Sequence, residues 1–572
     1  MAFISERKNR EGNVYVYLVE SYREKDKVKS RILKSYGKKD ELERSEPGIV
    51  RRLKEEAKAG TLSNDDLSLT LAIDLKKKIT RDDVNYGYLL LRDIYNELGV
   101  ERVLNKKKSQ QTCDVNKLME LLVYSRLLVP ASKKKTIENQ KYFLEDWHFT
   151  TNDVYRQLSY FTTLSEEIQS AMHEAVVKHI GRVATLVFYD VTNYYFETDI
   201  DDIDNVDENG EIINKGIRRR GASKEHRPKP IVQMGLFMDT NGIPISYKLF
   251  PGNNTDPTTY IPAIEQVKKQ FGIERVVVVA DKAMNSKKNV TKTYHNSDGW
   301  LFSQKHRGKR GADKKIQAFV LDENDWEYNK SQTFAKKSII RERKLDEGII
   351  VQEKIVVTWR EKYANREKIR REGAIAFAQG LRNPERYRAS CKRGGKKYLE
   401  LMVEDKETGE LKKLSPFLDI DQEAIDFDAQ FDGINVLVTS EIGMSDEDII
   451  KHYSELSAIE DCFRVTKTEL NARPVYVRLP EHIDAHFLIC FIALVLLRVL
   501  QVKTGRMMSA RCYIDALESG LANQLDKGYW RVQGNDDLLA LNKAIGIDWE
   551  SAYVKHERLL AYAKGWFTTP KN

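Results

Sequence analysis

The sequence predicts an α+β multidomain protein built around an α/β core, and three observations carry that expectation. Residues 182–190 and 274–281 are apolar runs rich in β-branched and aromatic side chains, and each ends in an aspartate, Asp190 and Asp281. The second run holds four consecutive valines, the pattern of a strand buried on both faces. Between the runs, Asn241-Gly242 separates the apolar segments 231–237 and 243–250, a strong hairpin signal. Residues 453–467 have helical periodicity instead, with an acid-bearing stripe beside an apolar one. A chain of 572 residues has room for roughly four domains and more than one core.

Residues 1–80 alternate in strand fashion through 14–19 and 28–33 with Lys and Arg interleaved, so a small basic β module with a charged linker is expected. From 81 to 180 the periodicity turns helical. Residues 88–98 close on Gly99, which suits a helix C-cap, and 115–128 and 152–161 follow as amphipathic runs. Residues 130–136 supply a turn, a cap and three consecutive lysines between them.

The first part of the core, 181–304, runs strand, acidic loop, hairpin, helix, strand. The loop holds Asp199, Asp201, Asp202, Asp204, Asp207, Glu208 and Glu211, but lacks the glycine that a calcium loop needs at its sixth position, so a solvated acidic loop is expected. Lys215, Arg218, Arg219, Arg220, Lys224, Arg227 and Lys229 follow at once and suit a phosphate-contacting rim. Residues 260–271 form an amphipathic helix closing on Gly272, and 300–304 resemble one more strand. This order is what a ribonuclease-H-like fold needs, with its acids meeting at one edge of the sheet. Residues 305–431 are too long for a loop and are expected to fold on their own as a mostly β insertion. The core resumes over 432–500, and 501–572 reads as a helical, aromatic-rich region that suggests no chemistry.

Wound at about 100° per residue, residues 453–467 bring Tyr453, Glu460, Arg464 and Lys467 into one narrow stripe. Leu456, Ile459, Phe463 and Leu470 form an adjoining apolar stripe that would bury the helix. An amphipathic helix with surface ion pairs explains this stretch alone equally well. Each strand-end aspartate could likewise be a loop or capping acid. Together, however, the three acids form a constellation suited to holding a divalent cation in phosphoryl transfer.

The order Asp190, Asp281, Glu460, with Tyr453, Leu456 and Lys467 spaced around the last acid, resembles the DDE transposases of bacterial insertion sequences. The similarity is to the branch with a Tyr-x2-Arg-x3-Glu-x6-Lys motif and a β-rich insertion before the Glu helix. Further blocks are similar to that family: 221–228, Phe250-Pro251-Gly252-Asn253-Asn254-Thr255-Asp256, Ala280-Asp281-Lys282-Ala283-Met284, 432–440, and 473–478 with the helix at 482–498. They span about 180 to 500 in the family's order. Leu456 departs from it, standing where the branch has an arginine, which puts one DNA-end contact in doubt.

The resemblance implies metal-dependent cleavage at the ends of an insertion sequence, then strand transfer into target DNA. It implies that Asp190, Asp281 and Glu460 are catalytic and hold two Mg2+ ions per site, with Mn2+ able to substitute. Tyr453, Arg464 and Lys467 would bind DNA phosphates near the cut, with His226 and Arg227 as candidates for the same task. The partners implied are double-stranded DNA, both terminal inverted repeats and target, and a second protomer on that DNA. The N-terminal module and the helical region at 81–180 would bind the ends, the latter with a helix-turn-helix or else as a dimerisation bundle. The insertion would grip DNA near the cut.

Two alternatives remain open: a ribonuclease-H-like nuclease, and a non-catalytic DNA-binding protein descended from a transposase. A two-carboxylate glycosidase fits poorly with the basic surroundings of Glu460. The net charge of +8 is small and patchy, which suits a polyanionic partner. Five scattered cysteines without a C-x2-C pair argue for a reducing compartment and against structural zinc. No secretory leader opens the sequence, so a bacterial cytoplasmic, nucleoid-associated protein is expected. His482 and His486 lack the intervening glutamate of a metallopeptidase motif, and 487–497 is about half a membrane span, so it reads as a core helix.

Overall fold

Strand alternation at the N-terminus and a helical stripe just after it build the first of two separate units, Met1–Thr80 and Arg81–Asn572, in the computed structural model. The residues described are 2–9, 12–24, 27–59, 83–106, 111–214, 216–222, 228–308, 312–381, 402–404, 411–413, 421–525, 528–547 and 551–567. In the first unit, β1 (Ala2–Lys8), β2 (Val14–Glu24) and β3 (Lys27–Lys38) form an antiparallel sheet. Helices α1 (Lys39–Ser45) and α2 (Ile49–Ala59) occupy part of the stretch expected as linker. Val50, Leu53 and Ala57, at helical spacing, pack on Ile4, Val16 and Leu18.

The second unit opens with β4 (Val84–Asn85) and six helices: α3 (Leu89–Glu97), α4 (Val100–Leu104), α5 (Val115–Leu128), α6 (Lys133–Glu138), α7 (Thr151–Thr163) and α8 (Ser165–Ile180). Asp114 and Ser132 cap α5 and α6, and Thr150 with Asp153 forms a capping box on α7. Next come β5 (Leu186–Tyr195), a small hairpin of β6 (Asn205–Val206) and β7 (Ile212–Asn214), β8 (Ile231–Met238) and β9 (Pro244–Pro251). Helix α9 (Asp256–Phe271) leads to β10 (Val277–Ala280), and α10 (Lys287–His295) to β11 (Gly299–Ser303).

The region expected as a free-standing insertion begins with α11 (Lys314–Leu321), β12 (Glu327–Tyr328), β13 (Phe334–Lys344) and β14 (Ile350–Arg360). It continues through α12 (Glu361–Leu381), the pair β15 (Met402–Glu404) and β16 (Leu411–Lys413), and α13 (Gln422–Ala429). The chain then adds β17 (Ile434–Thr439), α14 (Asp446–Glu455), α15 (Ser457–Thr468) and α16 (Pro480–Lys503). It ends with α17 (Ala510–Ser519), β18 (Leu521–Gln524), β19 (Tyr529–Gln533), α18 (Asp536–Ala544), β20 (Tyr553–Lys555) and α19 (His556–Leu560).

A nine-stranded sheet in the order β12-β13-β14-β17-β11-β10-β5-β8-β9 holds these parts together. Strands β5, β10 and β11 are parallel, and the remaining pairings are antiparallel. Period-two alternation divides its side chains between two apolar layers. Phe188, Val279, Leu301, Leu437 and Val356 join residues of α3, α5, α7 and α16 on one face. Val187, Val278, Trp300 and Val438 join residues of α9, α10 and α11 on the other.

Three expectations are corrected here. The hairpin β13–β14 does not stand apart, because β14 pairs with β17 and β17 with β11, so the inserted strands widen the core sheet. The helical region at 81–180 shares its apolar core with α16, so it packs as part of the second unit instead of standing apart. The C-terminal region is not wholly helical: β18, β19 and β20 form a four-stranded sheet with β4. Helix α16 is long and apolar enough to cross a membrane, but 94% of its apolar window is buried within the protein, as a core helix requires.

Candidate active site

Register places the two strand-end aspartates side by side. On the parallel pair β5–β10, Phe188 sits opposite Val279, and Asp190 and Asp281 each lie two residues further on. Neighbouring strands run about 4.8 Å apart, and two residues on is the same face. On β10–β11, Val279 pairs with Leu301, so the same step brings Ser303 opposite Asp281. The row then continues to Leu437 in one direction and to Leu236 and Tyr247 in the other. The result is a transverse line across the sheet with Asp190, Asp281 and Ser303 at its centre and apolar or aromatic residues on both flanks.

The half-buried Asp190 accepts a 2.7 Å hydrogen bond from the Val191 amide, and the exposed Asp281 accepts one of 2.9 Å from the Ser303 hydroxyl. Helices α14 and α15 lie over this face: Ile459, Cys462, Phe463 and Val465 are buried in the layer that covers it. Their polar side supplies Tyr453 and the exposed Glu460, the latter in the first turn of α15. The helix expected to run unbroken through 453–467 is interrupted at Leu456, where three-residue hydrogen bonds from Leu456 to Tyr453 and from Ile459 to Leu456 replace the regular ladder.

Tyr453 reports on the whole arrangement. Burial pushes its phenol up to about 12, a hydrogen bond with Ser303 opposes the shift, and the charges of Asp281, Glu460 and Asp190 add to it. All three acids anticipated from sequence therefore act on one phenol. Because a carboxylate only accepts, the Ser303 hydroxyl donates to Asp281.

The expected cations are placed unevenly. Lys467 lies over the Tyr194 ring, 5.5 Å from its centre, on the strand that carries Asp190. Arg464 leaves the stripe to pair with Asp461 at 2.8 Å and Glu469 at 3.3 Å. Asp461 also receives buried Arg498 of α16 at 2.6 Å, which anchors the Glu460 helix. The supposed phosphate rim is partly neutralised: Arg218, Arg219 and Arg220 pair with Asp202, Asp204 and Asp201 of the acidic loop. His226 and Arg227 lie outside the described residues. His486 is buried against the Ala472 carbonyl, and His482 packs on Tyr155.

Ser303 was missed by sequence reasoning. The available signal was that its strand ends one layer over from Asp281, as the Asp281 strand does from Asp190. A hydroxyl carries no signature comparable to a lone acid after a valine run.

Residues 212–496 match the family described as a transposase DDE domain, and residues 4–65 match the N-terminal domain of the IS1634 family of transposases. The chain belongs to the insertion-sequence DDE transposases. The first match includes Asp281 and Glu460 and begins after Asp190. No curated protein matches this transposase. Among solved structures, it is similar to a piggyBac transposase synaptic complex with hairpin DNA at 8% identity and a TM-score of 0.34, covering 77% of this chain and 81% of that one. It is also similar to a Mos1 strand transfer complex at 11% identity and a TM-score of 0.13, covering 45% and 69%.

DDE transposases depend on divalent metal. The donor chemistry here fits a hard cation, since all three acids offer carboxylate oxygens. Among the described residues, no three His, Cys, Asp or Glu side chains close into a ready ligand cluster.

Proposed function

We propose that Asp190, Asp281 and Glu460 are the catalytic carboxylates with which this transposase cleaves double-stranded DNA at the ends of an insertion sequence and joins them to target DNA. The observation that supports the reading is the register that sets Asp190 and Asp281 side by side on neighbouring parallel strands, with the charges of both and of Glu460 pushing the Tyr453 phenol up. The order β9-β8-β5-β10-β11, an antiparallel meander followed by two parallel strands, supports a ribonuclease-H-like core.

In this reading Asp190 and Asp281 offer oxygen ligands from the sheet and Glu460 offers one from the helix above. Two divalent ions, Mg2+ or Mn2+, would supply activation of the attacking oxygen and stabilisation of the leaving oxygen at phosphorus. Lys467 brings an ammonium beside Asp190's strand to hold a DNA phosphate, and Arg464 can do so once released from Asp461 and Glu469. No side chain here is required as a covalent nucleophile. The N-terminal unit, with Lys and Arg along β3, binds the terminal inverted repeats, and a second protomer pairs the two ends. The protein acts in the bacterial cytoplasm.

The test is cleavage of duplex carrying the inverted repeats that flank the gene, with Mg2+, with Mn2+ and with chelator. Metal-dependent nicking at the repeat boundary supports the proposal. Equal cutting of unrelated duplex would assign the same residues to a nuclease, and binding without cutting would leave a DNA-binding protein.

A further inference from the structure

We infer that Ser303 is a positioning residue of the phosphoryl-transfer site, holding Asp281 by a hydrogen bond and so orienting that carboxylate for its cation. The inference rests on the three-carboxylate reading above and concerns a residue to which that reading gives no part.

Three independent features point to it. The first is register: Ser303 occupies the position on β11 that Asp281 occupies on β10 and Asp190 on β5, and all three face the helix bearing Glu460. The second is bonding. Among the described residues, Ser303 is the one side chain hydrogen-bonded to Asp281, at 2.9 Å, and it is buried while Asp281 is exposed. The Ser303 hydroxyl donates to Asp281 Oδ1, which fixes one oxygen of Asp281 and leaves the other unengaged by Ser303. Partners in this position set the orientation and basicity of a ligating carboxylate.

The third feature is that Ser303 is itself held from the inserted hairpin. Asn285 Nδ2 donates to the Ser303 carbonyl at 3.1 Å and to Gln304 Oε1 at 2.7 Å. Asn285 Oδ1 accepts from Arg343 of β13 at 2.9 Å, and Arg343 is braced by the fully buried Glu353 of β14 at 3.2 Å. The hairpin thereby reaches the floor of the site through two hydrogen bonds. A serine that merely filled space at a strand end would not need its hydroxyl and its carbonyl both committed.

The experiment measures Mn2+ affinity of the full chain without DNA, by electron paramagnetic resonance, for wild type, Asp281→Ala, Ser303→Ala and Ser303→Thr, together with the Mn2+ dependence of repeat-end cleavage. Ser303→Ala is expected to weaken Mn2+ binding by about 10-fold or more, to raise the Mn2+ needed for half-maximal cleavage similarly, and to leave repeat-end affinity unchanged. Ser303→Thr, which keeps the hydroxyl, restores both to within about threefold. Wild-type Mn2+ affinity in Ser303→Ala, or a Ser303→Thr as impaired as the alanine variant, overturns the inference. If Asp281→Ala also binds Mn2+ normally, the three-carboxylate reading falls with it. If Asp281→Ala alone loses the ion, only the part given to Ser303 is lost.

Discussion

Asp190, Asp281 and Glu460 come from separate segments, yet one phenol feels them all, and this is where chemistry at the residue scale is decided. Outer partners of a metal ligand are worth 10–100-fold, so removing a ligand itself should cost at least about a hundredfold. Asp190→Ala, Asp281→Ala and Glu460→Ala are therefore each expected to lower end cleavage by that much while retaining repeat-end affinity in gel-shift titrations. Cleavage at the wild-type rate would remove that residue from the site. Arg464 is a different case, since Asp461 and Glu469 hold it at the surface. If it turns to phosphate on DNA binding, Arg464→Ala weakens binding across sequences and reduces the salt slope by about 1. An unchanged slope means that the arginine stays with its acids. At this scale the sequence pointed to Asp190 and Asp281, because an acid after a buried strand stands out, and to Glu460 from its place on a helical stripe. It could not reveal Ser303 or the capture of Arg464, both of which depend on residues far away in the chain.

Elements are held in place by a few buried polar groups. Helix α5 buries Glu120, which accepts from Asn116 at 2.7 Å and pairs with Lys117 at 3.2 Å. Burial nonetheless pushes its carboxyl from the usual 4.5 up to about 7. The folded state thus holds this proton more tightly than the unfolded chain. Its stabilising effect is complete below pH 4.5 and is lost as pH rises through about 7, a change of up to about 3 kcal/mol. Glu120→Gln should remove this contribution, narrowing the difference in melting temperature between pH 5 and pH 8 seen by differential scanning calorimetry. Helix α15 is tied to α16 by Asp461 and Arg498. Asp461→Asn leaves a buried guanidinium without its charge partner, and a denaturant midpoint shift worth about 2 kcal/mol is expected, discounted for the partial exposure of Asp461. Leu456 shows the limit of periodicity at this scale. The apolar spacing suits one long helix, but its regular ladder is interrupted at Leu456, between Tyr453 and Glu460, which no heptad count contains.

For the whole molecule, the division into Met1–Thr80 and Arg81–Asn572 has a direct consequence. A chain beginning at Arg81 is expected to keep its cooperative unfolding transition while losing repeat-end affinity at least about 10-fold, as basic contacts to phosphate are removed. Unchanged affinity would assign end binding to the helices of the second unit. Within that unit the joining of parts was not legible in advance. The length of 305–431 suggested an autonomous domain, because a long segment must bury its own apolar side chains somewhere. Instead β14 found its partner in β17, and the hairpin borrowed the core sheet. What the sequence by itself determined are the local features that follow from chemistry along the chain: the strands with their valine runs, the Asn-Gly hairpin, the acid-bearing helix and the order of the three carboxylates. Only the tertiary structure decided which strand lies beside which, that Ser303 joins the aspartates in one row, and that Arg218, Arg219 and Arg220 are already paired, because hydrogen-bond register and ion pairing are contacts between residues that sequence distance does not predict.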